Sequence, residues 1–491
     1  MNTRVTLNQT DIALGPDPTR VVMRFFVPGR EDFGPGDSRA SPVIERILGL
    51  DEDVVKTTMS DIDDRFLDRH RDLHATFGEH ASMVSSRIGP GVDLSPARTL
   101  LLGATFTREF SIEAAALCNP SIVPHPVQDD DGSARFILSA RSIGEGHKST
   151  ISFRSGVVTA SGTVTVDAPG PFPGTASPTG GRHNRAVFQS RLGALDEDRG
   201  NAAYVLGGLP RFFDDEELDA RIHQVASDAT TRPNVQTTLD HLRTLSQACY
   251  RVDFDDRTEI SEQVLWPHGP FESHGMEDAR FVRFTENSGQ TTYHATYTGY
   301  DGANICVQMI ETADFKSFDI KPTAGAAAVG KGLALFPRQV NGRYVALSRS
   351  DRETNAIAFS DDLYCWDRSE TIQRPERPWE LIQLGNCGSP IETNAGWLVL
   401  THGVGPMRTY SLGAILLDLA DPRTVLAATT EPILMPNEGQ REGYVPNVLY
   451  TCGAMAHGDI LVIPYAVADQ RIAIATLSIN EMLHGLASGS G

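Results

Sequence analysis

Val307-Gln308-Met309-Ile310, an apolar run that leads to Asp314-Phe315 and then Phe318, returns as Ala356-Ile357-Ala358-Phe359 leading to Asp362-Leu363 and Trp366, with Asp362 standing 48 residues after Asp314. Each copy reads as a strand, a turn closed by an aspartate, and an aromatic residue that re-enters a core. Such a unit, recurring about every 40–50 residues, is what a four-stranded blade of a β-propeller produces, because each blade covers its faces only by stacking on its neighbours. Ala414-Ile415-Leu416-Leu417-Asp418 and Ile472-Ala473-Ile474-Ala475 echo the pattern, so the chain after residue 117 has room for about five blades. An irregular β-sandwich is the competing architecture.

Outward from that repeat, short apolar runs bounded by Gly, Asp, Asn and Pro begin near residue 117, as in Arg135-Phe136-Ile137-Leu138 and Gly396-Trp397-Leu398-Val399-Leu400. The 44 glycines and 29 prolines supply the turns that such strands need. The rhythm stops between Asp214 and Cys249, where Leu218, Ile222, Val225 and then Leu239, Leu242, Leu245 keep helical spacing around Pro233. Upstream, Val55, Met59, Ile62, Phe66, Leu73 and Phe77 recur at spacings of three, four or seven. The expected fold class is therefore all-β: a propeller over residues 116–487 with a helical insertion near 214–245, preceded by a mainly helical extension over 1–115. That extension is assigned to packing or homo-oligomerisation, and its His70, His74 and His80 to surface or packing positions.

Charge restricts the partners. The 43 Lys and Arg face 63 Asp and Glu, a formal net charge of -20, which opposes the long-range attraction that nucleic acid or an anionic membrane requires. A small anion is still acceptable, because a cleft can gather cations inside an acidic protein. The six cysteines, Cys118, Cys249, Cys306, Cys365, Cys387 and Cys452, show no C-x-x-C pair and no zinc-type spacing with histidine. No apolar run approaches the roughly 18 residues of a membrane span, and Met1-Asn2-Thr3-Arg4 opens on no apolar leader. A reducing cytoplasm is the expected location.

Two constellations carry chemistry. In Glu272-Ser273-His274-Gly275-Met276-Glu277-Asp278-Ala279-Arg280-Phe281 a turn glycine precedes two adjacent carboxylates and an arginine. One carboxylate can face a cleft while the other pairs with Arg280, which separates their proton affinities and suits donation to a glycosidic leaving group. A structural ion pair is the plainer reading of the same residues. The second constellation is cationic: Lys331, Arg338, Arg349 and His402 follow or flank predicted strands, where propeller loops converge, and several fixed donors aimed at one point suit a phosphate. On the loop Glu145-Gly146-His147-Lys148-Ser149, His147 is a candidate contact to sugar or phosphate.

Taken in order, Gly275-Met276-Glu277-Asp278-Ala279-Arg280, Tyr297-Thr298-Gly299-Tyr300-Asp301-Gly302, Leu335-Phe336-Pro337 with Arg349, Gly396-Trp397-Leu398 with His402-Gly403-Val404, and Glu442-Gly443-Tyr444-Val445-Pro446-Asn447-Val448 with Cys452-Gly453-Ala454 resemble glycoside hydrolase family 130, over residues 117 to 485. The resemblance implies a five-bladed propeller with an axial site, inversion at the anomeric carbon, and no metal or organic cofactor, inorganic phosphate being the co-substrate. It implies Asp278 as the catalytic acid, acting through the 3-hydroxyl of the bound mannosyl unit. Arg141, Lys331, Arg349 and His402 match phosphate-contacting positions, and Asn119, Arg280, Tyr300, Asp301 and Asn447 match contacts to sugar hydroxyls.

The implied activity is inverting phosphorolysis of a β-linked mannosyl oligosaccharide to α-mannose 1-phosphate and a shorter sugar, that of a glycosyltransferase-type glycoside phosphorylase. An inverting hydrolase needs a second carboxylate to activate water, whereas phosphate arrives ionised and needs only cations to hold it. A hydrolase of the same family, with Glu442 or another acid as base, and a non-catalytic glycan-binding propeller are the alternatives. Ala279 stands where the family commonly has proline, and Arg338 where it commonly has an acid, a change expected to alter the pocket rim.

Overall fold

The structure, a computed structural model, describes residues 6–28, 39–89, 91–194, 199–227 and 235–488. The chain divides into two compact units: Asp17–Ala114 with Gly170–Gly174, and the remainder.

The smaller unit is helical, as its spacing predicts, but carries an antiparallel strand pair, Asp17–Phe25 with Thr107–Glu113. Helices span Ala40–Leu48, Glu52–Phe66, Leu73–Val84 and Pro96–Thr105. Val55, Met59, Leu73 and Phe77 are buried in one cluster, with Ile62 and Phe66 half-buried against it. Ser95 starts the last helix: its hydroxyl accepts from the Arg98 amide at 3.2 Å, and Pro96 fills the first turn, where no amide is needed. His70, His74 and His80 pair with Glu109, Asp63 and Thr107, which are packing roles.

The larger unit is mostly β, in five antiparallel groups. The first comprises Ala116–Pro124, Ala134–Ile143, Ser149–Val158 and Val164–Val166; the second, Gly275–Thr285, Thr291–Tyr300, Ile305–Thr312 and Ser317–Pro322. These two, with Pro178–Gly180, Tyr250–Asp253 and Val264–Leu265, make one eleven-stranded sheet, joined to each other through a single parallel contact, Gly275 opposite Ser149. The third is Ala334–Leu335, Tyr344–Ser348, Asn355–Ser360 and Ser369–Gln373. The fourth is built on Gly396–Gly405 and Thr409–Leu417, flanked by Gln383–Asn386 and Val425–Ala428. The fifth is built on Ile460–Val467 and Arg471–Ser478. The 48-residue repeat falls on the turn between third and fourth strands: Asp314 accepts from the Lys316 amide at 2.8 Å and Asp362 from the Tyr364 amide at 3.0 Å, while Phe318 and Trp366 are fully buried.

Two boundaries differ from the sequence reading. Asn8–Leu14 lies outside the helical extension and pairs antiparallel with Arg471–Ser478, a contact more than 450 residues long in sequence that no local pattern reveals. The helical insertion begins at Arg185, not near 214: helices Arg185–Ala194 and Arg199–Gly207 precede Asp215–Ser227 and Val235–Gln247. The first two are short and glycine-containing, so propensity alone does not announce them. They are held by burial of Phe188, Val205 and Leu206 against Leu218, Ile222 and Leu239. Pro233, around which the insertion was centred, is outside the described residues.

Short turns set the first strands of the groups. In Gly269–Glu272 and Arg377–Glu380 the closing glutamate folds back onto the amides that open the turn, at 3.0 Å in each case. Glu272 is fully buried and also accepts from Tyr250, Tyr297 and Gln308, so every lone pair of this enclosed carboxylate is used. Strand Gly275–Thr285 leaves directly from it. Cys118, Cys249, Cys306, Cys387 and Cys452 are buried free thiols and Cys365 is half-buried. Among the described residues no helix is long and apolar enough to cross a membrane.

Candidate active site

The first strands of the first and second groups each carry a bulge. Pairing skips between Cys118 and Ser121 on one and between Glu277 and Arg280 on the other. The skipped residues include Asn119 (φ 47°) and Asp278 (φ 54°), both in the left-handed region that Asn and Asp tolerate best among residues with a Cβ. The bulges are tied together by the Ser121 hydroxyl, which accepts from the Phe281 amide at 3.1 Å. In one bulge the next residue is Pro120 and in the other Ala279, so the turn forms with or without proline.

Asp278 is buried, and its Oδ1 has no hydrogen-bond partner. Arg141 Nη1 and Arg280 Nη2 each stand 4.0 Å from its carboxylate oxygens. Burial pushes this carboxyl up, but Lys331, Arg280, Arg141 and Arg349 together hold it below the usual aspartate range. Arg349 Nη1 lies 3.3 Å from His402 Nε2, and His402 Nδ1 lies 3.2 Å from the Asn386 carbonyl. A carbonyl can only accept, so Nδ1 carries the proton and Nε2 takes the Arg349 donor. Burial, then Arg349 and Arg280, press the His402 pKa well below its ordinary value, which keeps the ring neutral. Gly385 makes this pair possible: a Cβ there would meet Arg349 Cδ at 2.6 Å and His402 Cε1 at 3.0 Å. The Lys331 loop is adjacent, since a Cβ on Gly332 would lie 3.5 Å from Arg349 Cβ.

Arg141, Lys331, Arg349, His402, Arg280 and Asp278 are thus drawn from four groups of strands into one cluster. Of the two carboxylates, the one that approaches Arg280 is Asp278, at 4.0 Å, so the acid facing the cations and the acid beside Arg280 are the same residue. Glu277 binds Arg141 and Lys331, while Arg280 donates to the Asp278 carbonyl and to Tyr450 Oη, both at 2.8 Å. Arg338 does not join the cluster: it is paired with Glu392 and lies over Trp397, so its charge is already engaged.

Of the other candidates, Tyr300, Asp301, Asn447 and His147 make their described contacts with residues outside this centre. Asn119 is buried beside it with an unpartnered Oδ1. Tyr300 and Asp301 close the hairpin facing Gly275, where Asp301 Oδ1 accepts from the Ala303 and Asn304 amides and Tyr300 Oη donates to the Gly302 carbonyl. Asn447 (φ 62°) is half-buried, and its carbonyl accepts from the Tyr410 amide. His147 is exposed and pairs with Tyr444 Oη at 2.8 Å. Glu442, the alternative base, is exposed.

Asp469 is the residue that sequence reasoning missed. It follows Ala468 in the left-handed region, its Oδ1 is shut away without a partner, and burial and then Asp278 push its pKa up to about 6. Ala468-Asp469 is an ordinary hairpin turn in sequence, and only the fold brings it beside Asp278, Arg141 and Lys331.

Residues 248–487 match the family model of glycoside hydrolase family 130, described as β-1,4-mannooligosaccharide phosphorylase. The chain is 36% identical over 220 residues to a 1,2-β-oligomannan phosphorylase of Thermoanaerobacter sp. (strain X514), covering 43% of this chain and 71% of that protein. It is 32% identical over 229 residues to a β-1,2-mannobiose phosphorylase of Listeria innocua serovar 6a, covering 45% and 63%. The solved structure of β-1,2-mannobiose phosphorylase from Listeria innocua with β-1,2-mannobiose aligns with a TM-score of 0.45 at 22% identity, over 77% of this chain and 93% of that one.

Proposed function

The chain belongs to glycoside hydrolase family 130, and from that premise we propose that it is an inverting β-mannoside phosphorylase whose five strand groups form a five-bladed propeller around the site. One observation carries the reading: the buried carboxylate on a left-handed bulge, Asp278, is surrounded by Arg141, Lys331, Arg349 and Arg280.

In this mechanism Arg141, Lys331 and Arg349 hold a phosphate dianion on one face of the mannosyl ring, with neutral His402 fixing Arg349. A phosphate oxygen forms the new bond to the anomeric carbon as the glycosidic bond breaks on the opposite face. The departing oxygen receives the Asp278 proton, which gives α-mannose 1-phosphate and the shortened sugar. Without phosphate the four cations keep Asp278 ionised, and an ionised acid has no proton to give. A dianion among those cations offsets their field and returns Asp278 toward its protonated form, so the co-substrate also arms the acid. Asn119, Arg280, Tyr300, Asp301 and Asn447, with His147 at the exposed edge, are assigned to the sugar. The scattered buried thiols fit a reducing cytoplasm.

Asp469, a second enclosed carboxylate, favours one other reading, a hydrolase in which it activates water. Incubation of the protein with β-1,2- and β-1,4-mannobiose, with and without phosphate, separates the two. Phosphorolysis yields mannose 1-phosphate only when phosphate is present. Equal cleavage in phosphate-free buffer, with free mannose as product, would overturn the proposal in favour of the hydrolase.

A further inference from the structure

Each oxygen of the Glu277 carboxylate faces a different cation. Oε1 accepts from Arg141 Nη2 at 2.5 Å and Oε2 from Lys331 Nζ at 2.6 Å. Arg141 comes from strand Ala134–Ile143 and Lys331 from the loop before Ala334–Leu335, so no backbone contact sets their separation. We propose that Glu277 is a positioning residue of the phosphate subsite, a bridging anion that holds Arg141 and Lys331 side by side before phosphate arrives. The inference rests on the reading of those two cations as phosphate ligands.

Three features support the bridge. Arg141 and Lys331 repel one another, and ordering each of these long side chains costs rotamer entropy. A shared carboxylate removes the repulsion and meets that ordering cost in the free enzyme. The donors are also not exhausted: the bridge takes one N–H from each cation, Arg141 Nε remains without a partner, and the Lys331 ammonium has three protons to place. Finally, the bulge begins directly after Glu277, whose pairing with Thr298 is regular while that of Asp278 is lost. One distortion therefore sets both the acid and the carboxylate before it against the same cations.

The opposite possibility is that Glu277 occupies the site as a competitor that phosphate must displace, and the two differ in sign. Steady-state kinetics of Glu277→Gln, with phosphate and mannobiose varied separately, decide between them. The bridge predicts that KM for phosphate rises roughly tenfold or more while KM for mannobiose stays within about twofold, as expected for loss of a charge-assisted contact to the cations alone. Glu277→Asp, which keeps the charge but shortens the reach, should fall between the two enzymes, and it serves as the test if the Gln variant does not fold. A lower or unchanged KM for phosphate in the folded variant would overturn the inference. Loss of phosphate dependence in the wild type would instead remove the reading beneath it, so the two failures are distinguishable.

Discussion

Asp278→Asn isolates the proton from everything else that Asp278 does. Oδ1 makes no hydrogen bond, the backbone at φ 54° is a conformation asparagine adopts readily, and the carbonyl still accepts from Arg280. Two charge pairs are lost, to Arg141 and Arg280 at 4.0 Å. At an effective dielectric of ~20 each attraction is about 4 kcal/mol, an upper bound that the cost of burying the carboxylate largely offsets. The melting temperature should therefore move by no more than ~5 °C. Catalysis should not be spared. A positioned general acid contributes roughly 10²- to 10⁴-fold, about 2.7 to 5.5 kcal/mol, so kcat for phosphorolysis of β-mannobiose should fall by that factor. KM for phosphate should stay level or drop, because a negative charge has left the site. With β-mannosyl fluoride, whose leaving group needs no proton, the loss should shrink to within about tenfold. Release of mannose 1-phosphate from both substrates is the assay. A loss below tenfold on mannobiose, or an equal loss on both substrates, would refute the assignment of Asp278 as the acid.

Two further outcomes follow from the geometry. Gly385→Ala places a methyl group 2.6 Å from Arg349 Cδ, on a backbone that alanine can adopt, so KM for phosphate should rise by roughly tenfold with the fold retained; unchanged phosphate kinetics would show that Arg349 is not a ligand. For Asp469, burial followed by Asp278 raises the folded pKa from 3.8 to about 6, so its stabilising contribution is whole below about pH 4 and is lost as pH rises through 6. Asp469→Asn should accordingly gain up to about 3 kcal/mol on the wild type between pH 4 and 7.5 in urea denaturation, and a difference independent of pH would refute the buried titration.

Much of the site is legible in sequence because strand and turn chemistry is local. The Gly275–Arg280 run announces a turn with acids beside a strand, and Lys331, Arg349 and His402 stand next to strands whose ends converge. Other features are silent for a definable reason. The bulges at Asn119 and Asp278 are irregularities of pairing, and pairing involves a partner strand that the local pattern does not name. Arg185–Ala194 and Arg199–Gly207 lack a clean apolar stripe, so their helices exist only once Phe188 and Val205 have neighbours. Which of Glu277 and Asp278 approaches Arg280 is silent on the same ground, since adjacency in sequence does not fix direction across a bulge.

What the chain determines by itself is its alphabet of elements and the chemical types at their ends: alternating apolar runs, aspartate turns, one acid pair and a set of cations. Which of those cations meet, and with which carboxylate, is decided only when strands far apart in sequence close around a common site. Electrostatic energy depends on separation in space and on exclusion of water, and neither quantity is written in the order of residues.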